Sequence, residues 1–581
     1  MMCRLGKLAE KLEKLNVFFL ILLISFIIAG SSILGGSLEY AGNDDTFRNL
    51  MSVGAFGEQY SYYIPFSNVL YGIPIYILNH MIPHVNWYYW IMIAIDVLAI
   101  SVLCYILFMK SGIYLQILLS VIVNLIFSRD FYVAIQFTKT ASLWIIVGIT
   151  VLIYYMMNDS HKWLWGSAFL LVGIASRSDC LVMVLPFAIC YGIAIFIERK
   201  GKINKSDIKR LLFRLSLTCA MITSLFISEY IFRKCNSEWE YYWKYNGARA
   251  YLMDHMSISY DHDSIAYDEI GTDCNDITLY NEWLFGDTDF YDLEWLYEVT
   301  DIEKEYNEVG LRVNIDVIYE ALSKLVSVFN RTPFRSWGII ALGLIMCIVL
   351  IIRKQLVSKI LGITYFGGMV MAYWYFACVN RFMWRAECGV FLAIIVFSAL
   401  YINTFSNGYI LERLRGSVNS NKSHCFLLLW LVLSFGIMAF YSILMVYTWR
   451  YDKHKNFVAN EADISGRLEK FLDEDQNTYL LTDFYVTNNP VGLCKARWGG
   501  LYENTVYLGA WIIPSPTALY YAKERGIDNP MIALVEKDDV YLHCLDQYIP
   551  YQVGNHLSKV LGKKVEVNQV EEQLWKYTVI E

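Results

Sequence analysis

The chain has 581 residues, 56% of them hydrophobic and only 18% charged, with a formal net charge of −7 and a positive mean hydropathy of +0.38. A single soluble core has no room for that much apolar surface, so composition excludes an ordinary soluble domain and predicts an all-α polytopic membrane protein; no nucleic-acid partner is expected. The cysteines contain no CxxC pair and no His-rich cluster, which predicts neither a zinc site nor a disulfide framework.

The chain opens with a basic leader, residues 1–16, MMCRLGKLAEKLEKLN, followed by the apolar run FFLILLISFIIAGSSIL. That run is too long for a cleavable signal and leads into further membrane segments, so it reads as an anchored first helix. Apolar stretches long enough for a ~30 Å hydrocarbon layer recur near 17–35, 88–108, 113–127, 141–157, 162–176, 180–197, 211–232, 336–352, 357–378, 387–405 and 425–448, about eleven spans. Lys and Arg gather in the leader and in every second connection, including ERKGKINKSDIKR at 198–210 and RKQLVSK at 353–359. Positive charge retained on the cytoplasmic side predicts a cytoplasmic N-terminus in the plasma membrane.

The transmembrane domain therefore covers 17–450 and carries two long external connections. The first, 36–87, mixes apolar, aromatic and proline residues in SNVLYGIPIYILNHMIPHVNWYYW, which suits helices lying in the headgroup layer. SRDFYVAIQFTKTASLW, at 128–144, reads as an amphipathic turn or two before the fourth span. The second connection, 234–335, holds 21 acidic and 8 basic residues, against which Lys244 and Arg249 stand out. Residues 451–581 alternate helix-like EADISGRLEKFLDED, PTALYYAKERGI and YQVGNHLSKVLG with strand-like TYLLTDF, NTVYLGAWII, MIALVEK with VYLHC, VEVNQV and WKYTVI, which predicts an extracytoplasmic α/β domain.

Asp44 and Asp45, in GNDDTFRNL at 42–50, stand at the mouth of the first span. Either they cap and start the next helix, or they do chemistry at the depth where a lipid-linked substrate presents its phosphate. A basic start, a first span, an acidic pair directly after it, interfacial helices, many further spans and a soluble C-terminal domain together resemble the GT-C superfamily of integral membrane glycosyltransferases. The likeness is to bacterial members that use polyprenyl-phosphate sugars; it covers most of the chain as architecture, and its local motif is the NDD around Asp44 and Asp45. It implies an inverting transfer from a polyprenyl-phosphate-linked sugar to a cell-envelope glycan or lipid-linked acceptor, with one aspartate as general base or orienter of acceptor or metal.

The chemistry asks for the same groups. Sugar transfer needs the acceptor oxygen to lose a proton and positive charge at the anomeric carbon to be tolerated, and a carboxylate serves both needs. The lipid phosphate that leaves needs cations, and Arg381 and Arg385 in CVNRFMWRAE, Arg177 in SRSD and Lys139 in QFTKT are the candidates, with Arg129 behind them. Each arginine has an alternative in an ion pair, with Asp179 or Glu387 as partner. Mg²⁺ or Mn²⁺ on Asp44 and Asp45 is left open, since no DxD triplet occurs at the pair.

Asp96 falls near the middle of the second span, where a carboxylate is costly unless paired or wetted. It favours a rival class, a transporter or flippase of a lipid-linked glycan with Asp96 as coupling site; a hydrogen bond to a neighbouring helix, with Asn124 as candidate partner, is the structural alternative. A non-enzymatic membrane scaffold or sensor is the third class.

Overall fold

The computed structural model describes residues 16–35, 38–56, 60–83, 85–156, 161–199, 205–307, 315–327, 337–379, 382–405, 477–482 and 504–580. Among them, eight helices are long and apolar enough to cross a membrane: Val17–Gly35, Trp87–Phe108, Ile113–Val133, Phe137–Met156, Asp179–Glu198, Lys205–Lys234, Leu356–Cys378 and Trp384–Phe405. Two of the expected spans fold as shorter apolar helices, Trp163–Ser176 with 14 residues and Trp337–Ile352 with 16. The first of these ends where Arg177 turns extended, at φ −157° and ψ 104°. The expected span 425–448 and the helix expected in EADISGRLEKFLDED lie outside the described residues.

Phe137–Met156 is the axis of the bundle. Its apolar stretch is 83% buried, whereas that of Lys205–Lys234 is only 17% buried, which marks the latter as peripheral to the bundle. The axis helix packs backbone to backbone on Trp163–Ser176 through glycines: a Cβ on Gly148 would lie 2.6 Å from the Leu170 amide nitrogen, and one on Gly166 would lie 2.7 Å from that of Leu152. Without a hydrophobic force between helices in lipid, such close approach is how dispersion contacts are gained.

At the end of the bundle where the first span exits, Asn43–Ser52 and Val69–Met81 form two short helices. Asn68 caps the second by accepting from the Leu70 N–H at 2.9 Å. Residues 129–135 differ from the amphipathic turn expected of them. Arg129–Val133 makes one π-helical turn, then Ala134–Ile135 pairs in parallel with Glu39–Tyr40. The pairing gives partners to backbone groups that the exit of the first span would otherwise leave buried and unmet.

The acidic connection folds into helices Ser237–His255, Ser264–Glu269, Cys274–Asn281, Leu293–Glu303 and Ile315–Ser327. The C-terminal region carries a five-stranded mixed sheet in the order Thr505–Tyr507, Thr478–Leu481, Val540–His543, Leu574–Ile580, Lys564–Glu571. The first three strands run parallel and the remaining pairings are antiparallel. MIALVEK is not a strand: it lies in the helix Pro530–Glu536, because Asn529 accepts from the Met531 and Ile532 N–H groups and Pro530 occupies the first turn. The sheet region is pressed against the acidic connection. A Cβ on Gly509 would sit 1.7 Å from the Trp283 carbonyl oxygen, which also accepts the Ala510 N–H at 3.0 Å.

Candidate active site

The helix Asn43–Ser52 starts from Gly42, whose extended backbone at φ −160° and ψ 150° sets the N-cap without any side-chain capping bond. The N-cap is Gly42 and neither aspartate, which corrects the capping part of that alternative; both do sit in the first turn and so start the helix, where carboxylates are favoured by the N-terminal partial charge. Successive residues on a helix point about 100° apart, and the two carboxylates accordingly meet opposite environments.

Asp45 is completely buried. Its Oδ1 accepts the Tyr88 hydroxyl at 2.8 Å and the Phe137 N–H at 3.1 Å, tying the short helix to the starts of two spans, while its Oδ2 has no hydrogen-bond partner among the described residues. Burial raises its pKa to about 6, outweighing the nearby Arg48 guanidinium and the Tyr88 bond. Arg48 is itself buried, donates to the Ser67 hydroxyl and lies 3.7 Å from the Phe137 ring centroid.

Asp44 is open, with 23% of its side chain exposed, and its Oδ2 lies 2.5 Å from Nη1 of Arg385, itself 27% exposed. The pair joins residues 341 positions apart. Arg385 enters from the first turn of Trp384–Phe405, so the site stands where the exit of the first span meets the entry of another. The neighbouring Trp384 indole N–H donates to Asp130 Oδ1 at 2.9 Å, which anchors the turn that presents Arg385.

The remaining expected phosphate ligands fare differently. Lys139 is 1% exposed and spends its ammonium on Asp130 Oδ1 at 2.9 Å and the Ala134 carbonyl at 2.6 Å, so it is not open to a ligand. Arg177 pairs with Asp179 at 2.8 Å, and Arg129 lies 3.8 Å from Glu39. Arg381 lies outside the described residues. Glu387 accepts the Tyr373 hydroxyl at 2.7 Å. Asp96 is fully buried and bonded by the Trp144 indole N–H at 2.7 Å; Asn124, its expected partner, instead accepts from Tyr132 at 2.8 Å.

A divalent ion is poorly matched by this arrangement. Only Asp44 of the pair is open, and it already carries a guanidinium; among the described residues no group of three or more His, Cys, Asp or Glu side chains is disposed to hold a metal.

Sequence reasoning missed the aromatic layer beneath the pair. Phe47, on the same helix as Asp44, packs edge-on to Tyr507 at 5.6 Å and to Trp511 at 5.7 Å. Trp511 also lies 5.0 Å from Phe66, and its carbonyl accepts the Tyr242 hydroxyl at 3.2 Å. The C-terminal region thus supports the helix that bears the carboxylates. Nothing local to YLGAWII signals this.

No protein-family model matches the chain, and no curated protein matches it. Among solved structures it is similar to ArnT from Cupriavidus metallidurans in two states. The apo state aligns with a TM-score of 0.38 at 12% identity, and the state bound to undecaprenyl phosphate with 0.41 at 9%, each over 96% of this chain and 97% of that chain.

Proposed function

We propose that the chain is a membrane-embedded glycosyltransferase that moves a sugar from a polyprenyl-phosphate carrier to a cell-envelope acceptor on the extracytoplasmic face. The observation that carries this reading is the Asp44–Arg385 pair: a partly exposed carboxylate and guanidinium, held 2.5 Å apart between the short helix Asn43–Ser52 and the first turn of the membrane-type helix Trp384–Phe405. In the reaction, a lipid phosphate approaching Arg385 competes for its guanidinium and releases Asp44. The freed carboxylate accepts the proton of the acceptor hydroxyl as that oxygen bonds to the anomeric carbon. The sugar–phosphate bond breaks, and the phosphate leaves with its added charge against Arg385. Asp45, out of substrate reach, holds the helix that aims Asp44. Arg381, four residues before Arg385 in the sequence, is the second phosphate ligand of the proposal, and Lys139 is left out of it because its ammonium is buried and paired.

The test is Asp44→Asn. Transfer from labelled polyprenyl-phosphate sugars in membranes carrying the chain should fall about 10²- to 10⁴-fold, the usual contribution of a positioned acid or base. The melting temperature of the purified variant should stay within a few degrees of the parent. Undiminished transfer would remove the base role from Asp44.

A further inference from the structure

A cavity of about 260 Å³ is lined in part by Phe66, Arg177, Asp179, Glu229, Arg233 and Trp243. Its walls repeat one motif. On one side the Arg177 guanidinium faces the Phe66 ring at 5.3 Å and pairs with Asp179 at 2.8 Å. On the other, the Arg233 guanidinium faces the Trp243 ring at 4.4 Å and pairs with Glu229 at 2.9 Å. Each half thus contributes an aromatic ring, a cation and a carboxylate.

This chemistry discriminates between ligand classes. The two guanidiniums and two carboxylates of the cavity sum to no net charge, so an anion finds no surplus cation there, whereas the proposed phosphate site adds Arg381 to Arg385. An uncharged polyol needs no surplus charge, because every hydroxyl both donates and accepts; Glu229 already accepts from Arg233 and from the Val69 N–H, so the more exposed Asp179 is the freer acceptor. The volume lies just under the ~300–1,000 Å³ of sites for drug-sized ligands, which suits one ring and not an extended chain. The indole N–H of Trp243 is buried and has no acceptor among the described residues.

The position ties the cavity to the carboxylates. Phe66 lines it, and on its other sides stacks on Phe137 at 6.4 Å and touches Trp511 at 5.0 Å. Phe137 donates its N–H to Asp45, and Trp511 packs on Phe47 of the Asp44 helix. Arg48 of that helix also donates to Ser67, which lines the cavity. Phe66 holds a left-handed backbone at φ +65°, a conformation rare for a bulky residue and retained only where the surroundings enforce it.

We propose that this cavity binds a single neutral saccharide ring, belonging to one of the two substrates, next to the Asp44 helix. The proposal rests on the transferase reading for the identity of the ligand as a substrate, and on the cavity alone for its chemistry.

The experiment follows phenylglyoxal modification of Arg177 and Arg233 by peptide mass spectrometry on the full chain in detergent, with Arg525 as reference. The probes are the methyl glycosides of hexoses and pentoses, a polyprenyl-phosphate-linked hexose, and inorganic phosphate. At about ten times its Kd, a bound glycoside should slow modification of both arginines about tenfold and leave Arg525 unchanged. Protection by free glycosides assigns the ring to the acceptor; protection by the lipid-linked hexose alone assigns it to the donor. Asp179→Asn, at an exposed position, should fold normally and weaken the protection severalfold. Protection by inorganic phosphate with none from any sugar would overturn the proposal, as would modification at an unchanged rate with every probe. The measurement needs no turnover, so its failure is distinct from a failure of Asp44→Asn to lose transfer.

Discussion

Asp44 and Asp45 are chemically identical neighbours that the fold makes unlike. Asp44 keeps an open face and a cation; Asp45 loses all solvent and gains two donors on one oxygen. A rise in the Asp45 pKa from 3.8 to about 6 favours the neutral acid by about 3 kcal/mol. The folded state therefore keeps a proton that the unfolded state sheds between those values, so this group lowers stability as pH rises from about 4 to 6 and has no further effect above. Asparagine imitates the neutral acid and still accepts from Tyr88 and Phe137. Asp45→Asn should accordingly melt a few degrees above the parent at pH 8 and converge with it near pH 4, in a series of thermal scans in detergent. A variant that is less stable than the parent at pH 8 would show that the ionised carboxylate is needed. The acidic pair itself was legible in the sequence, whereas which member is open was not, because that depends on Tyr88 and Phe137 arriving from other helices.

At the scale of elements, hydropathy located the membrane helices to within a few residues, since the free energy of burying a segment in lipid is a property of that segment. It placed 162–176 and 336–352 to within one residue, and both fold as apolar helices shorter than the other spans. It could not show the glycine seam between Phe137–Met156 and Trp163–Ser176, which exists only when the two helices meet. Gly148→Val should overlap the backbone of Leu170 and Gly166 and cost about 1–3 kcal/mol or more, read as a lowered melting temperature or loss of the folded fraction. Gly30→Ala, where an added Cβ meets nothing within 4 Å, should be neutral in the same assay. If both variants behave alike, the seam is not what holds these helices together. MIALVEK shows the opposite limit: its apolar run suits either a strand or a helix, and Asn529 with Pro530 decided for the helix.

At the scale of the whole molecule, the acidic connection and the C-terminal region are clamped by a buried charge cluster. His556 lies between Asp276, at 2.6 Å, and Asp287, at 3.1 Å, and stacks on Tyr291 at 5.5 Å. Lys559 bonds Asp276 and reaches Asp273 at 3.2 Å, and Asn529 donates to Asp287 at 2.7 Å. Burial opposes the charge on His556, but its two carboxylate partners prevail and raise its pKa above 6.5. Burial likewise opposes charge on Asp276 and Asp287, and hydrogen bonds from His556, with Lys559 or Asn529, lower both below 3.8. The stabilisation from His556 is complete below pH 6.5 and fades as pH rises through its elevated folded value; that from the two aspartates is complete above pH 3.8 and fades as pH falls through theirs. The clamp is strongest between those limits. His556→Gln should lower the melting temperature most near pH 6 and progressively less at higher pH, and a deficit that grows with pH would exclude the charged form.

What the sequence determined alone is the membrane class, the placement of most spans, and an acidic pair at the mouth of the first one. These follow from local quantities, apolar length and charge position, that each segment carries with it. The tertiary structure decided that Arg385 meets Asp44 across 341 residues, that Lys139 is consumed by Asp130, and that Trp511 of the C-terminal region lies under the Asp44 helix. Contacts of that kind depend on which faces of distant helices pack together, and packing is settled only when all of them are present.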